Sequence, residues 1–196
     1  MIYLGKQAVG IADHRLANNI LPYTYTSKEL FKGMELPETL TLDYEDHTVS
    51  SMQEMFATAT GIKTLTIKNL PKRDGGIYAM KAFNSSTIEE IFFENSVFAP
   101  SNSQRTFSSS CLKNIYGAID MTYAMHNDMI YFSRVLENIS FVPSTINTNM
   151  LLAGSACLTD YSFVQIANGL NEETTGCSLS ISYYSEYKTR FNNILG

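Results

Sequence analysis

Ala82-Phe83-Asn-Ser-Ser86-Thr-Ile88-Glu-Glu90-Ile91-Phe-Phe-Glu94 runs from an aromatic residue through small polar residues to an apolar residue, and then alternates apolar with polar. The arrangement recurs as Phe56-Ala-Thr-Ala-Thr-Gly61-Ile62-Lys-Thr-Leu65-Thr-Ile67 and as Phe107-Ser-Ser-Ser-Cys111-Leu112-Lys-Asn-Ile115-Tyr116. A more divergent copy is Phe132-Ser-Arg-Val-Leu136-Glu-Asn-Ile139-Ser-Phe141, and the first strand of the series is Thr39-Leu40-Thr41-Leu42. The steps Leu40 to Leu65, Ile91, Ile115 and Ile139 are 25, 26, 24 and 24 residues. A period in the twenties is the signature of stacked supersecondary units, none of which buries its apolar stripe alone. The chain therefore reads as a solenoid of about five coils.

Each coil is expected to alternate a short strand with a connection that carries helical turns. In Ser51-Met52-Gln-Glu-Met55-Phe56 the apolar residues fall at helical spacing. In the strands, Leu65 and Ile67 face inward while Thr64, Thr66 and Lys68 face outward. Pro71-Lys-Arg-Asp74-Gly75-Gly76 and Phe98-Ala-Pro100-Ser-Asn-Ser are turn-rich and belong on the edge opposite the strands. Met121–Met125 reads as a local helix in a stretched fourth connection.

Both ends depart from the period. Residues 1–35 open with two short strands, Ile2-Tyr-Leu-Gly and Ala8-Val-Gly-Ile-Ala, joined through Gly5-Lys-Gln as a hairpin. They read as a cap or an attachment segment, and the residues leave both open. The array is placed at 36–158 and a C-terminal cap at 159–196. That cap is read as a helix over Tyr161–Gly169 with Phe163, Ile166 and Leu170 inward, a strand at Ser178–Ser182, and an amphipathic helix with Tyr187, Phe191 and Ile194 on one face.

Composition narrows the function classes. An apolar content of 44% is that of an ordinary folded domain. A net charge of −5 supplies no basic field to steer toward nucleic acid or an anionic membrane. No apolar run is long enough to span a bilayer, and Met1–Gly10 lacks the basic-then-apolar plan of a secretion signal. Three cysteines make no disulfide framework. Cys111 and Cys157 precede Leu112 and Leu158 in a slot that Val135 also fills, so they are expected to be small buried apolar groups. Two coils apart, at about 10 Å, they are too distant to bridge. The spacing lets Cys157 and Cys177 lie on neighbouring coils and leaves a bond between them open, with nothing further to support it.

Nothing in the sequence assembles a catalytic set, and neither a metal nor a cofactor is expected. His14, His47 and His126 have no metal-ligand spacing, and Ser108–Ser110 lack a nucleophile-elbow setting. Asn84-Ser-Ser86 and Asn138-Ile-Ser140 match glycosylation acceptors at positions the repeat already explains. The outward strand positions form three columns instead: Thr39, Thr64, Glu90, Asn114, Asn138; Thr41, Thr66, Phe92, Tyr116, Ser140; and Asp43, Lys68, Glu94, Ala118, Val142. Phe92 and Tyr116 then sit side by side facing solvent beside Thr66, with Glu90, Asn114 and Glu94 around them. An aromatic pair rimmed by polar groups on a rigid face suits protein or glycan contact.

The unit Phe83-Asn-Ser-Ser-Thr-Ile88-Glu-Glu-Ile91-Phe-Phe resembles the leucine-rich repeats of the BspA-like, Treponema-type class over roughly residues 36–158. The resemblance implies an α/β fold, a right-handed β-α superhelix with about five repeats of 24–26 residues. The ends, Met1–Ile11 and Leu158–Leu195, are similar to those of short repeat proteins encoded among phage and prophage structural genes. That similarity implies a non-enzymatic, virion-associated tail, baseplate or fibre protein whose partners are other virion proteins or a host-surface protein or glycan. The alternative is a bacterial cell-surface or secreted adhesin.

Overall fold

The computed structural model describes residues 2–4, 7–9, 26–45, 48–108, 111–126, 128–173, 178–180 and 185–195. Two antiparallel strands, β1 (Ile2–Leu4) and β2 (Gln7–Val9), form the expected hairpin. The main sheet is parallel and takes one strand from each successive coil: β3 (Thr39–Asp43), β4 (Thr64–Lys68), β6 (Glu90–Glu94), β8 (Asn114–Ile119) and β9 (Asn138–Phe141). Its register places Leu40, Leu65, Ile91 and Ile115 on lateral neighbours. A second line of parallel pairing runs along another side of the stack, through β5 (Ile77–Tyr78), β7 (Pro100–Asn102) and the Thr26–Ser51–Tyr78 bridges. The molecule is a parallel β-solenoid of about five coils.

The connections differ from the expectation. Ser51–Phe56 is not helical. It belongs to a run of consecutive β-turns in which Met55, Ala57 and Ala59 donate to the carbonyls of Met52, Glu54 and Phe56, three residues back. The intervening amides of Met52, Glu54, Phe56 and Thr58 donate to Tyr78, Met80, Ala82 and Asn84 on the next coil. Half the amides thus close the turn and half tie the coils together, which leaves none for an i→i−4 ladder. The turns need left-handed residues at Glu54, Thr58, Lys81, Ser85 and Arg105, all with φ between 51° and 58°. Left-handed backbone is costly for residues with a Cβ, and the bonds between coils hold it in place. Met121–Met125 is likewise a turn, centred on Thr122 and Tyr123. Among the described residues, helices occur only past the array, as α1 (Asp160–Gly169) and α2 (Ser185–Leu195).

Stacking makes each core position a ladder. Ile62, Ile88, Leu112, Leu136 and Leu158 are all buried, one per coil. Phe31, Phe56, Phe83 and Phe107 form an aromatic ladder with ring centroids 5.0, 5.8 and 5.2 Å apart. Phe31 lies upstream of Leu36, and Ser27, Glu29, Phe31 and Gly33 all donate to the coil of 51–57, so the stack already includes residues from Thr26 on. In the fourth copy the aromatic slot belongs to Ile130 and not to Phe132. The Phe107 amide donates to Met129, Ile130 is buried, and Phe132 is half-exposed with φ of 57°. Buried hydroxyls find carbonyls on the preceding coil: Ser133 Oγ donates to Phe107 O at 2.7 Å and Ser155 Oγ to Ile130 O at 2.7 Å.

Cys111 and Cys157 are exposed, contrary to the buried role expected, and so is Val135 in the same slot. The slot precedes an inward residue and faces out. Cys177, His14, His47, Ser109 and Ser110 lie outside the described residues. The C-terminal end is closed by α1, which lies beside β9. Thr159 caps the helix, and Ser162 Oγ donates to Glu137 O at 2.8 Å while accepting from the Ile139 amide at 3.0 Å. Phe163 and Ile166 are buried, while Leu170 packs partly buried against the core. Arg190 of α2 ties back to Asp160 at 2.7 Å and covers the Phe163 ring. Strands β10 (Met150–Leu151) and β11 (Leu179–Ser180) pair in parallel alongside. Ile194 packs on the core, and the side chains of Tyr187 and Phe191 are outside the described set.

Two outcomes test this packing. Phe83→Ala removes a fully buried ring held between two others, and should cost about 3–5 kcal/mol in urea unfolding. Tyr44 is buried with Ser27 Oγ at 3.4 Å, and burial raises its phenol from 10.0 to about 12. A folded-state pKa above the unfolded one contributes stability that is complete below pH 10.0 and is lost as pH rises toward about 12. Thermal unfolding across that window should show Tyr44→Phe losing less stability with rising pH than the parent chain.

Candidate functional site

The outward face of the main sheet carries the predicted recognition residues, and the observed register decides which of them meet. Thr39–Thr64–Glu90–Asn114–Asn138 is a continuous column, as expected. Thr41–Thr66–Phe92–Tyr116 forms the middle column, and Asp43–Lys68–Glu94 the third. Beyond Tyr116 the expected columns fail. Ser140 pairs with Ala118, so Ile115, Tyr116 and Gly117 stand against the single residue Ile139. Ser140 therefore does not extend the middle column, and Ala118 and Val142 do not extend the third.

This bulge exists because of Gly117. Its φ is +104°, and a Cβ there would lie 2.9 Å from Phe93 Cβ and 3.0 Å from Phe93 O. Only a residue without a side chain lets the extra length of β8 fold against β6. Ser140 Oγ then donates to Gly117 O at 2.8 Å and fixes the new register. Glycine inside a strand is the signal that marks such a position in a sequence.

Phe92 and Tyr116 stack with ring centroids 4.4 Å apart and planes 15° from parallel. One face of Tyr116 is thus covered by Phe92. Tyr116 has no register partner of its own on β9, and the side chain remains 42% exposed. Around the pair, Tyr116 Oη donates to Glu90 Oε1 at 3.3 Å, Asn114 Nδ2 donates to the same oxygen at 3.4 Å, and Asn138 Nδ2 donates to Asn114 Oδ1 at 2.7 Å. Partial desolvation, followed by the charge of Glu90, holds the Tyr116 phenol above its ordinary value.

Two charge ladders flank this column, and the columns drawn from the sequence missed the first. Glu38, Lys63, Glu89, Lys113 and Glu137 each precede a main-sheet strand and alternate in sign from coil to coil. Lys63 pairs with Glu38 at 3.0 Å and Lys113 with Glu89 at 2.6 Å. Those hydrogen bonds raise both lysines and lower Glu89. On the other side Lys68 bonds Glu94 at 2.9 Å, which raises the lysine. The signal was legible: counting one residue back from each first strand position reads Glu, Lys, Glu, Lys, Glu.

Elsewhere, Ser50, Ser51, Gln53, Asp74, Tyr78 and Ser101 line an open polar depression by the Pro71–Gly76 loop. Among the described residues no group of three His, Cys, Asp or Glu is placed to hold a metal, and no helix is long and apolar enough to cross a membrane. Compared with family models, curated proteins and solved structures, the chain matches none.

The bulge is the feature to perturb. Gly117→Ala should destabilise the chain by about 1–3 kcal/mol, read from chemical unfolding. It should also shift the Tyr116 ring resonances, because the β8–β9 register that sets the ring's exposure is lost.

Proposed function

We propose that this chain is a non-catalytic repeat protein whose main sheet face recognises a protein or a glycan. One observation carries the reading: the stacked Phe92–Tyr116 pair, with Tyr116 left open by the bulge, on a face whose other polar side chains largely satisfy one another. Aromatic anchors on a preorganised surface lose little side-chain entropy on binding, and they dominate contact energies. Glu90, Asn114, Glu94 and Thr66 supply the polar surround.

The finer assignment is to leucine-rich repeats of the Treponema-type class, set in a phage or prophage particle as a tail, baseplate or fibre component. It rests on the aromatic, small-polar, Ile-x-x-Ile sentence and on the similarity of the two ends. Closely stacked coils support it, since they give the rigid, slightly variable surface that a recognition module needs.

Replacing Phe92 and Tyr116 with Ser together tests the face. Both lie outside the core, so the far-UV spectrum should be unchanged. Binding to host cells or to the purified particle should fall by at least about tenfold, since hot-spot aromatics are worth about 2 kcal/mol or more each. Undiminished binding with an intact fold would remove this face from consideration.

A further inference from the structure

The open side of Tyr116 has a narrower chemistry than the face around it, and we propose that it takes the guanidinium of an arginine side chain presented by a protein partner. The inference rests on reading the sheet face as a recognition surface.

Geometry supplies the first part. Phe92 covers one face of the Tyr116 ring at 4.4 Å, and the bulge at Gly117 leaves Tyr116 without a register partner on β9, with its side chain 42% exposed. A planar group can lie flat there as the next layer of the stack. Asn138, beside this position, is itself held by Asn114 at 2.7 Å and by Thr159 Oγ1 at 2.8 Å, so the floor is ordered before anything binds.

Charge supplies the second part. On the ring's own coil and the two beside it, the positions leading into the strands carry Glu89, Glu90 and Glu137 against Lys113, a balance of −2. Lys63 is taken by Glu38 and Lys113 by Glu89. Glu90 receives only the two neutral donors, at 3.3 and 3.4 Å, and Glu137 ends its ladder with no further lysine beyond it. Glu90 touches the Tyr116 hydroxyl directly, and the charges of Glu90 and Glu137 both raise the phenol. A guanidinium stays charged, lies flat on aromatic faces and donates a fork of hydrogen bonds to carboxylates. An ammonium has the charge without the plane. A hexose has the plane and can donate its hydroxyls to a carboxylate, but it brings no charge to answer the local balance.

The test uses the full chain, isotope-labelled, and follows the Tyr116 ring and Asn138 side-chain resonances. The probes are N-acetylarginine amide, the uncharged isostere N-acetylcitrulline amide, and the hexoses glucose and galactose. Arginine should shift both signals saturably and citrulline should not. Added salt should weaken the response, and Glu90→Gln combined with Glu137→Gln should weaken it about tenfold or more. Equal shifts from citrulline, or shifts from a hexose alone, would overturn the arginine subsite and favour a neutral or glycan ligand. If no probe moves Tyr116 while the Phe92 and Tyr116 serine substitutions still abolish cell or particle binding, the subsite fails and the recognition face stands. If those substitutions also leave binding intact, both fail.

Discussion

Parallel main-chain hydrogen bonds hold neighbouring coils about 4.8 Å apart, and every other feature of this molecule answers to that spacing. At such a distance each side chain meets the residue in the same slot of the next coil. Slots therefore fill with groups that tolerate their neighbours: aliphatics on aliphatics, rings on rings, hydroxyls on the carbonyls of the coil before. The Phe31–Phe56–Phe83–Phe107 ladder and the Ile62–Ile88–Leu112–Leu136–Leu158 ladder follow directly. So does the array's need for a different element at its end. Where β9 would otherwise present bare amides and carbonyls, Ser162 of α1 answers both Glu137 and Ile139.

This also explains which parts of the structure were legible in the sequence. Strand positions repeat with period two and recur in every coil, so Leu40, Leu65, Ile91 and Ile115 identified the sheet and its register. The connections misled because a train of four-residue turns places Met52, Met55, Phe56 and Ala59 inward at nearly the period of an α-helix. What separates the two is the destination of alternate amides, which the side chains do not encode. Phe132 misled for a related reason. It looks like the aromatic of its coil, yet Ile130 reaches the slot, because the residue count back from Ile139 decides the position and the ring does not. The exposed Cys111 shows the limit of slot arithmetic. Sharing a position with valine indicates size, and burial depends on which way that position points.

The proposed recognition face was half visible. Its columns followed from alternation up to Tyr116, and there Gly117 broke the register by two residues. A glycine in a strand announces a bulge, but not which neighbour it will free from contact. That depended on the backbone of Phe93 pressing against Gly117 from the coil before.

The polar ladders have a further role that the apolar ones cannot play. An aliphatic slot accepts Ile over Leu or Phe over Phe in any order, so the core alone penalises a one-coil slip only weakly. A column reading Glu, Lys, Glu, Lys, Glu does not, since a slip sets like charge on like charge at every level. Exposed ion pairs add little stability, and their contribution here is order along the stack. A face built to satisfy itself in this way offers little to a partner. Its exception is the stretch where Glu90 has no lysine bonded to it and Tyr116 has no register partner, and there the surface's unmet interactions are concentrated.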